Sequence, residues 1–287
     1  MPAFPQAMPG NLQKVIAYFY FRRDNNSRDF LLLPCEVLAE MSLCDFFRKN
    51  PRVTLAVSGG TDSSYLLYAA LKSGADVLPC TVKTQFQPEF ELEDARRLAG
   101  YLGVALTVIN CDILSCPKVA GNQPDRCYYC KKAIFSLLGK RARMEGYPLL
   151  IDGTNASDDA GDRPGMRALK ELGVRSPLRE CGLDKSAVRR RSQAAGLFTW
   201  DKPSYACLAT RFPTGVLITE KLLQNVEDAE NSLFQLGFSN FRVRFFHGAA
   251  RLQLPADQLE RAVHLREEIH SRLSPYFSGV LLDLKER

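Results

Sequence analysis

The sequence predicts an α/β protein, a parallel sheet with helices on both faces, followed by a small α+β unit. Three observations carry this. Val53, Leu55 and Val57 alternate as a strand and Tyr65–Leu71 forms an apolar helical run, with the turn Ser58–Ser63 between them. From Pro51 to about residue 200, strand and helix patterns alternate, as they do where crossover helices cover a parallel sheet. After Trp200-Asp201-Lys202-Pro203 the order becomes helix, strands, helix, strand.

Taken in order, Val15–Phe21 reads as a strand, and Cys35–Arg48 has helical spacing with Leu38, Met41 and Phe46. Residues 1–50 are an N-terminal extension without evident chemistry. The alternating part then predicts strands at 77–82, 106–111 and 149–151 and helices at 89–101 and about 130–145. Asp184 is placed to cap a helix that ends near Gly196. Residues 51–204 are expected to be one nucleotide-handling domain. In such sheets ligands bind at the carboxyl ends of the strands, so the Ser58 loop and Asp152-Gly153-Thr154-Asn155 are expected to face one cleft. In residues 205–287, a helix at 220–236 carries Leu222, Leu223, Val226, Ala229, Leu233 and Leu236 on one stripe. Strands are expected at 241–246, around 251–254 and from Gly279, with a single helix over about 257–273.

Composition excludes more than it assigns. At 287 residues and 46% hydrophobic content the chain can build a large core. No run approaches the roughly 18 apolar residues of a membrane span. Met1–Gly10 holds three prolines and no charge, unlike a signal peptide, so a cytoplasmic protein is expected. A net charge of +6 is too mild to argue nucleic-acid binding, and Arg189–Arg191 reads as a solvated helix face. Nine scattered cysteines do not resemble a secreted disulfide scaffold.

The turn Ser58-Gly59-Gly60-Thr61-Asp62-Ser63 carries the first chemistry. A Gly-containing turn into a helix N-terminus presents unpaired N–H groups and a positive dipole end to an anion. The glycines allow close approach, and Ser58 and Ser63 add hydroxyls. Asp62 would repel a bare phosphate, so a Mg²⁺–phosphate complex fits better. No G-x-x-x-x-G-K-[ST] run is present. The string, with its strand and helix, resembles the PP-loop of the ATP pyrophosphatases, which implies cleavage of ATP between the α and β phosphates.

Cys127 and Cys130 form a C-x-x-C, and Cys207 lies in Ala206-Cys-Leu-Ala-Thr-Arg-Phe-Pro. A redox pair, unremarkable buried thiols and an iron–sulfur site with one iron lacking a protein ligand all remain open on the residues alone. Structural zinc would need a second pair or a nearby histidine.

Asp125-Arg-Cys-Tyr-Tyr-Cys-Lys-Lys, Asp152-Gly-Thr-Asn, Arg163-Pro-Gly, Asp201-Lys-Pro, the Cys207 motif and Arg242-x-Arg follow the PP-loop in one order. From about Leu43 onward this resembles the LarE family of PP-loop sulfur transferases. The resemblance implies adenylylation of pyridinium-3,5-biscarboxylic acid mononucleotide by MgATP, followed by replacement of AMP with sulfur to give a thiocarboxylate. It implies a homo-oligomer whose partners are that mononucleotide and sulfide or another sulfur donor. Three cysteines imply the subclass in which Cys127, Cys130 and Cys207 hold a 4Fe–4S cluster that carries sulfide. Ser58, Gly59, Gly60, Asp62 and Ser63 would hold ATP phosphates and Mg²⁺, with Asp152 and Asn155 ordering or contacting the nucleotide cleft. Arg242 and Arg244, on one strand face, would grip the substrate phosphate, and Arg211 a carboxylate or AMP; from spacing alone the strand pair also reads as a solvated strand edge. Glu230 matches an acidic position of the substrate site; read alone it is a surface helix glutamate. Gln253 stands where the family often has Glu, so no metal or base role is assigned to it. Competing readings are sacrifice of the Cys207 sulfur, tRNA thiolation, an amide synthetase and a non-catalytic ATP-binding partner.

Overall fold

The computed structural model describes residues 35–158 and 163–285. The strand expected at Val15–Phe21 lies outside them. Among the described residues seven strands follow one another as β1 (Arg52–Ala56), β2 (Asp76–Lys83), β3 (Thr107–Asn110), β4 (Leu149–Ile151), β5 (Arg242–Phe246), β6 (Ala249–Gln253) and β7 (Val280–Leu282). The first part carries helices α1 (Cys35–Lys49), α2 (Thr61–Lys72), α3 (Glu89–Tyr101), α4 (Pro117–Ala120), α5 (Arg126–Met144), α6 (Pro164–Glu171), α7 (Pro177–Glu180) and α8 (Lys185–Ala194). The second part carries α9 (Glu220–Gln235), α10 (Ala256–His264) and α11 (Arg266–Leu273).

The first four strands are parallel in the order β3-β2-β1-β4. Val53, Leu55 and Val57 enter a core formed with Leu66 and Leu67 of α2, Leu98 of α3 and Val188 of α8. Cys80 and Leu150 face the other way, against Phe135 and Leu138 of α5 and Leu169 of α6. Both faces are therefore covered, as a parallel sheet requires. Strand order reverses direction at β1, so the loops after β1 and β4 open side by side.

The second sheet is β5-β6-β7, with β5 and β6 antiparallel and β6 and β7 parallel. Its core includes Leu223, Val226, Ala229 and Leu233 of α9 and continues through Leu208 and Ala209 to Phe86, Ile113 and Val119 of the first part. Hydrophobic contact thus crosses between the parts at the segment that carries Cys207.

Two expectations need correction. The helix of Cys127 and Cys130 begins at Arg126, so Cys127 sits on its first turn and Cys130 at the start of its second. The single helix expected over 257–273 is broken at Leu265, whose φ −92°, ψ 15° ends α10. The break lets Leu265 pack on the core that Ala262, Ile269 and Leu273 also enter.

Candidate active site

Residues Ser58–Gly60 turn between β1 and α2. Gly59 has φ +75°, and a Cβ there would lie 2.4 Å from the Glu91 carbonyl, so only glycine keeps this path. Ser58 and Ser63 hydroxyls sit 3.1 Å apart, and the Ser58 N–H donates to Ser63 Oγ at 3.2 Å. Ser64 Oγ donates to the Gly60 carbonyl at 2.8 Å, and Thr61 Oγ1 to that of Thr199. The hydroxyls shape the turn and leave the helix N-terminus facing a cleft.

That cleft measures about 390 Å³. Its wall includes Ser58, Gly60, Asp62 and Ser63 of the loop, Asp152 and Gly153 after β4, and both Cys130 and Cys207. Gly153 packs so closely that a Cβ would lie 2.8 Å from the Ser63 nitrogen. Asp62 Oδ2 pairs with Lys185 Nζ at 2.7 Å, whereas Asp62 Oδ1 is buried without a protein partner. Lys202 Nζ reaches the Gly59 carbonyl at 3.0 Å and Asp94 at 2.5 Å, and the Lys202 carbonyl accepts from Arg189. Arg189 therefore has a packing task that the solvated-face reading of its run missed. Glu91 lines the same cleft, and burial pushes its carboxyl up to about 7.

Asp152 accepts from Thr154 Oγ1 at 2.6 Å, from Ser176 Oγ at 2.7 Å and from the Thr154 N–H. Asn155 Oδ1 accepts from the Ser157 N–H at 2.8 Å. Both buried side chains are occupied in ordering the loop after β4.

Three arginines converge on the Cys207 segment. Arg211, 1% exposed, forms a bidentate pair with Glu230, Nε to Oε1 at 2.7 Å and Nη2 to Oε2 at 3.1 Å, and donates to the Ala206 carbonyl. Glu230 is equally buried and also accepts from the Val243 N–H and the Tyr205 hydroxyl, which overturns the surface-glutamate reading. Burial and that carboxylate push the Tyr205 phenol upward. Arg242 donates to the carbonyls of Ser204 and Phe241 and stacks 5.0 Å over Tyr205. Arg244 donates to the Thr210 carbonyl at 2.8 Å and to Gln253. The Gln253 amide then donates to Asp283 at 2.9 Å, a link a glutamate could not make without repulsion. Arg242 borders a second cleft of about 390 Å³ with Phe90, Lys202, Tyr205 and Phe241. Arg211 and Arg244 line neither cleft.

Cys127 is exposed; Cys130 and Cys207 are partly buried. Burial and the neighbouring thiols Cys207 and Cys127 push Cys130 up to about 12, and burial raises Cys207 as well. Among the described residues no group of three or more His, Cys, Asp or Glu is arranged to hold a single metal ion.

Residues 52–121 match the family described as queuosine biosynthesis protein QueC. The pyridinium-3,5-bisthiocarboxylic acid mononucleotide synthase of Lactiplantibacillus plantarum is 35% identical over 81% of this chain and 86% of its own length. The chain belongs to the LarE family. An uncharacterized protein of Synechocystis is 38% identical over 85% of the chain and 92% of its own length. A tRNA-specific 2-thiouridylase MnmA of Clostridioides difficile is 29% identical over 42% of the chain and 40% of its own length. The chain is thus an enzyme of the PP-loop class with the LarE fold plan, and ATP and Mg²⁺ belong to that class. No described helix is long and apolar enough to cross a membrane.

Sequence reasoning missed Lys185 and gave Lys202 no role. Lys185 follows a helix cap, and only the chain's return past α2 brings its ammonium to Asp62. No local pattern signals that.

Proposed function

We propose that this LarE-family enzyme adenylylates the carboxylates of a pyridinium dicarboxylate mononucleotide with ATP, then replaces AMP with sulfur supplied at a 4Fe–4S cluster on Cys127, Cys130 and Cys207. The observation that carries the reading is that Cys130 and Cys207 line the same cleft as the phosphate-binding turn. An acyl-adenylate formed at the turn would meet sulfur without leaving the cavity.

Carboxylate oxygen is a poor leaving group. Attack of the substrate carboxylate on the α phosphorus forms the acyl–AMP bond and breaks the bond to pyrophosphate. A hydrosulfide then adds to the acyl carbon, AMP departs with the bonding pair, and loss of one proton leaves the thiocarboxylate. The α2 N-terminus and the amides of Ser58–Ser63 would hold the β and γ phosphates. Lys185 and Lys202, paired with Asp62 and Asp94, would offset the negative charge beside the turn. The orphaned Asp62 Oδ1 and its paired Oδ2 are hard oxygen donors that suit Mg²⁺, which would draw charge off the departing pyrophosphate. The second cleft, with aromatic walls at Phe90 and Tyr205 and Arg242 beside them, would hold a mononucleotide before or between rounds; the carboxylate that reacts would lie in the first cleft, with which it shares no lining residue. Arg211, Glu230 and Arg244 would act behind it by fixing the Cys207 segment, and Asp152 and Asn155 by ordering the opposite wall.

The thiols fit a cluster. The donor set is all sulfur, two from a helix start and one from a facing loop. A cubane binds each thiolate to a different iron, so the sulfurs need not meet at one point. When bound, the cluster would carry an added sulfide on the iron that lacks a protein ligand. Burial raises the Cys207 thiol, which disfavours a free thiolate there. That weakens sacrifice of Cys207 as the sulfur source.

The test is anaerobic turnover with ATP, sulfide and the dicarboxylate mononucleotide, following pyrophosphate and the oxygen-for-sulfur mass change. Alanine at Cys127, Cys130 or Cys207 should abolish sulfur transfer and spare pyrophosphate release. Equal sulfur transfer in all three variants refutes the cluster, and loss of H₂S from the protein mass would restore sacrifice of Cys207. tRNA thiolation is favoured only by the partial similarity to the thiouridylases. It predicts salt-dependent RNA binding, which the mononucleotide reading does not.

A further inference from the structure

We infer that Arg126 is the strut that sets the span between Cys127 and Cys207, a positioning residue for the sulfur step. The cluster function of the strut rests on the reading above; its geometry does not.

The guanidinium stands between the two cysteine-bearing elements. Nη1 donates to the Ala209 carbonyl at 3.0 Å, on the segment of Cys207, and to Asn122 Oδ1 at 2.5 Å. Nη2 lies 3.6 Å from Cys127 Sγ, within reach of a hydrogen bond to sulfur. One planar group thus ties the start of α5 to the loop two residues beyond Cys207. Its Asn122 support is itself anchored. Asn122 is 2% exposed with φ +52°, its Nδ2 donates to the Pro213 carbonyl at 2.7 Å, and its carbonyl accepts from the Gly215 N–H at 2.9 Å. On the far side the Leu208 N–H donates to the Phe86 carbonyl at 2.9 Å, so the residue after Cys207 is pinned to the first part of the chain.

Only arginine meets this geometry. Its rigid fork reaches three acceptors on two elements at once, whereas a lysine ammonium is a point charge on a flexible stem. The fork also directs a cation and an N–H at a sulfur, and hydrogen bonds to sulfur are among the factors that set a cluster's reduction potential. Through its contacts to Cys127 and to the Ala209 carbonyl, the strut ties a cysteine on an exposed helix turn to the Cys207 segment.

Two measurements test this. In apoprotein carrying Cys130→Ala, the short bis-alkylating reagent dibromobimane should bridge Cys127 to Cys207, read by peptide mapping. Arg126→Met should lower that yield about tenfold or more, the scale of one charge-assisted hydrogen bond. Arg126→Lys, which keeps charge and stem, should fall between and serves if the methionine variant does not fold. Equal yields in folded variants overturn the strut. In reconstituted protein with all three cysteines, Arg126→Lys should hold less iron per chain and show a more negative reduction potential. If the unsubstituted chain takes up no iron while bridging still depends on Arg126, the cluster reading fails and the strut stands. If it takes up iron and both variants match it in iron, potential and bridging, the strut is wrong and the cluster reading stands.

Discussion

Glu230→Gln tests whether the buried carboxylate organises the Cys207 segment. The substitution keeps the side-chain shape and removes the charge. Glu230 accepts from Arg211 Nε at 2.7 Å, from Arg211 Nη2 at 3.1 Å and from the Val243 N–H at 3.0 Å, all away from water. Glutamine can still accept from Val243, but it leaves a guanidinium buried without a counter-charge. Breaking one partner of such a pair costs about 3–5 kcal/mol. Arg211→Met should cost a similar amount for the opposite reason. The double variant removes both charges and should cost about 1–3 kcal/mol, far less than the sum of the singles. Urea unfolding at constant pH, with unchanged dependence on denaturant, measures all three. A Glu230→Gln loss below about 1 kcal/mol with additive singles would refute the argument, because the pair would then not be desolvated.

Glu91→Gln should change the pH dependence of stability. A carboxyl whose folded pKa is raised from 4.5 to about 7 binds more protons folded than unfolded, so stability falls as pH rises from about 4.5 to 7. The glutamine variant should lack that fall and gain about 3 kcal/mol relative to the parent at pH 8, read by chemical unfolding across pH. Gly59→Ala should abolish pyrophosphate release, since its Cβ meets backbone at 2.4 Å in a left-handed conformation; normal release would show that the turn can move away from Glu91. Lys185→Met should weaken ATP binding about tenfold, measured by calorimetry with MgATP, as expected for loss of one charge-assisted contact in a partly exposed site. An unchanged dissociation constant would place the phosphates away from Lys185.

Much of the fold was legible because its signals are local. The alternation at Val53–Val57, the stripe on the helix of Leu223 and Leu233, and the Asp184 cap each arise from residues a few positions apart, where period and capping chemistry act. The turn Ser58–Ser63 was legible for the same reason: its glycines are local punctuation, and Gly59 takes a positive φ. The broken helix at Leu265 was not, because no proline or glycine marks it and packing alone bends the chain there.

By itself the sequence determined a parallel α/β sheet with a glycine turn after its first strand, and through its ordered motifs the family. Only the tertiary structure decided what the charged residues do. The family resemblance gave Arg211, Arg242, Arg244 and Glu230 substrate roles, yet folding spends much of their hydrogen bonding on each other and on the carbonyls of Ser204, Ala206 and Thr210. Lys185 and Lys202, unremarkable in sequence, reach the turn because chain reversal carries them across more than a hundred residues. A side chain's type is fixed in the sequence, but its unspent charge and hydrogen bonds depend on which distant groups the fold brings to it.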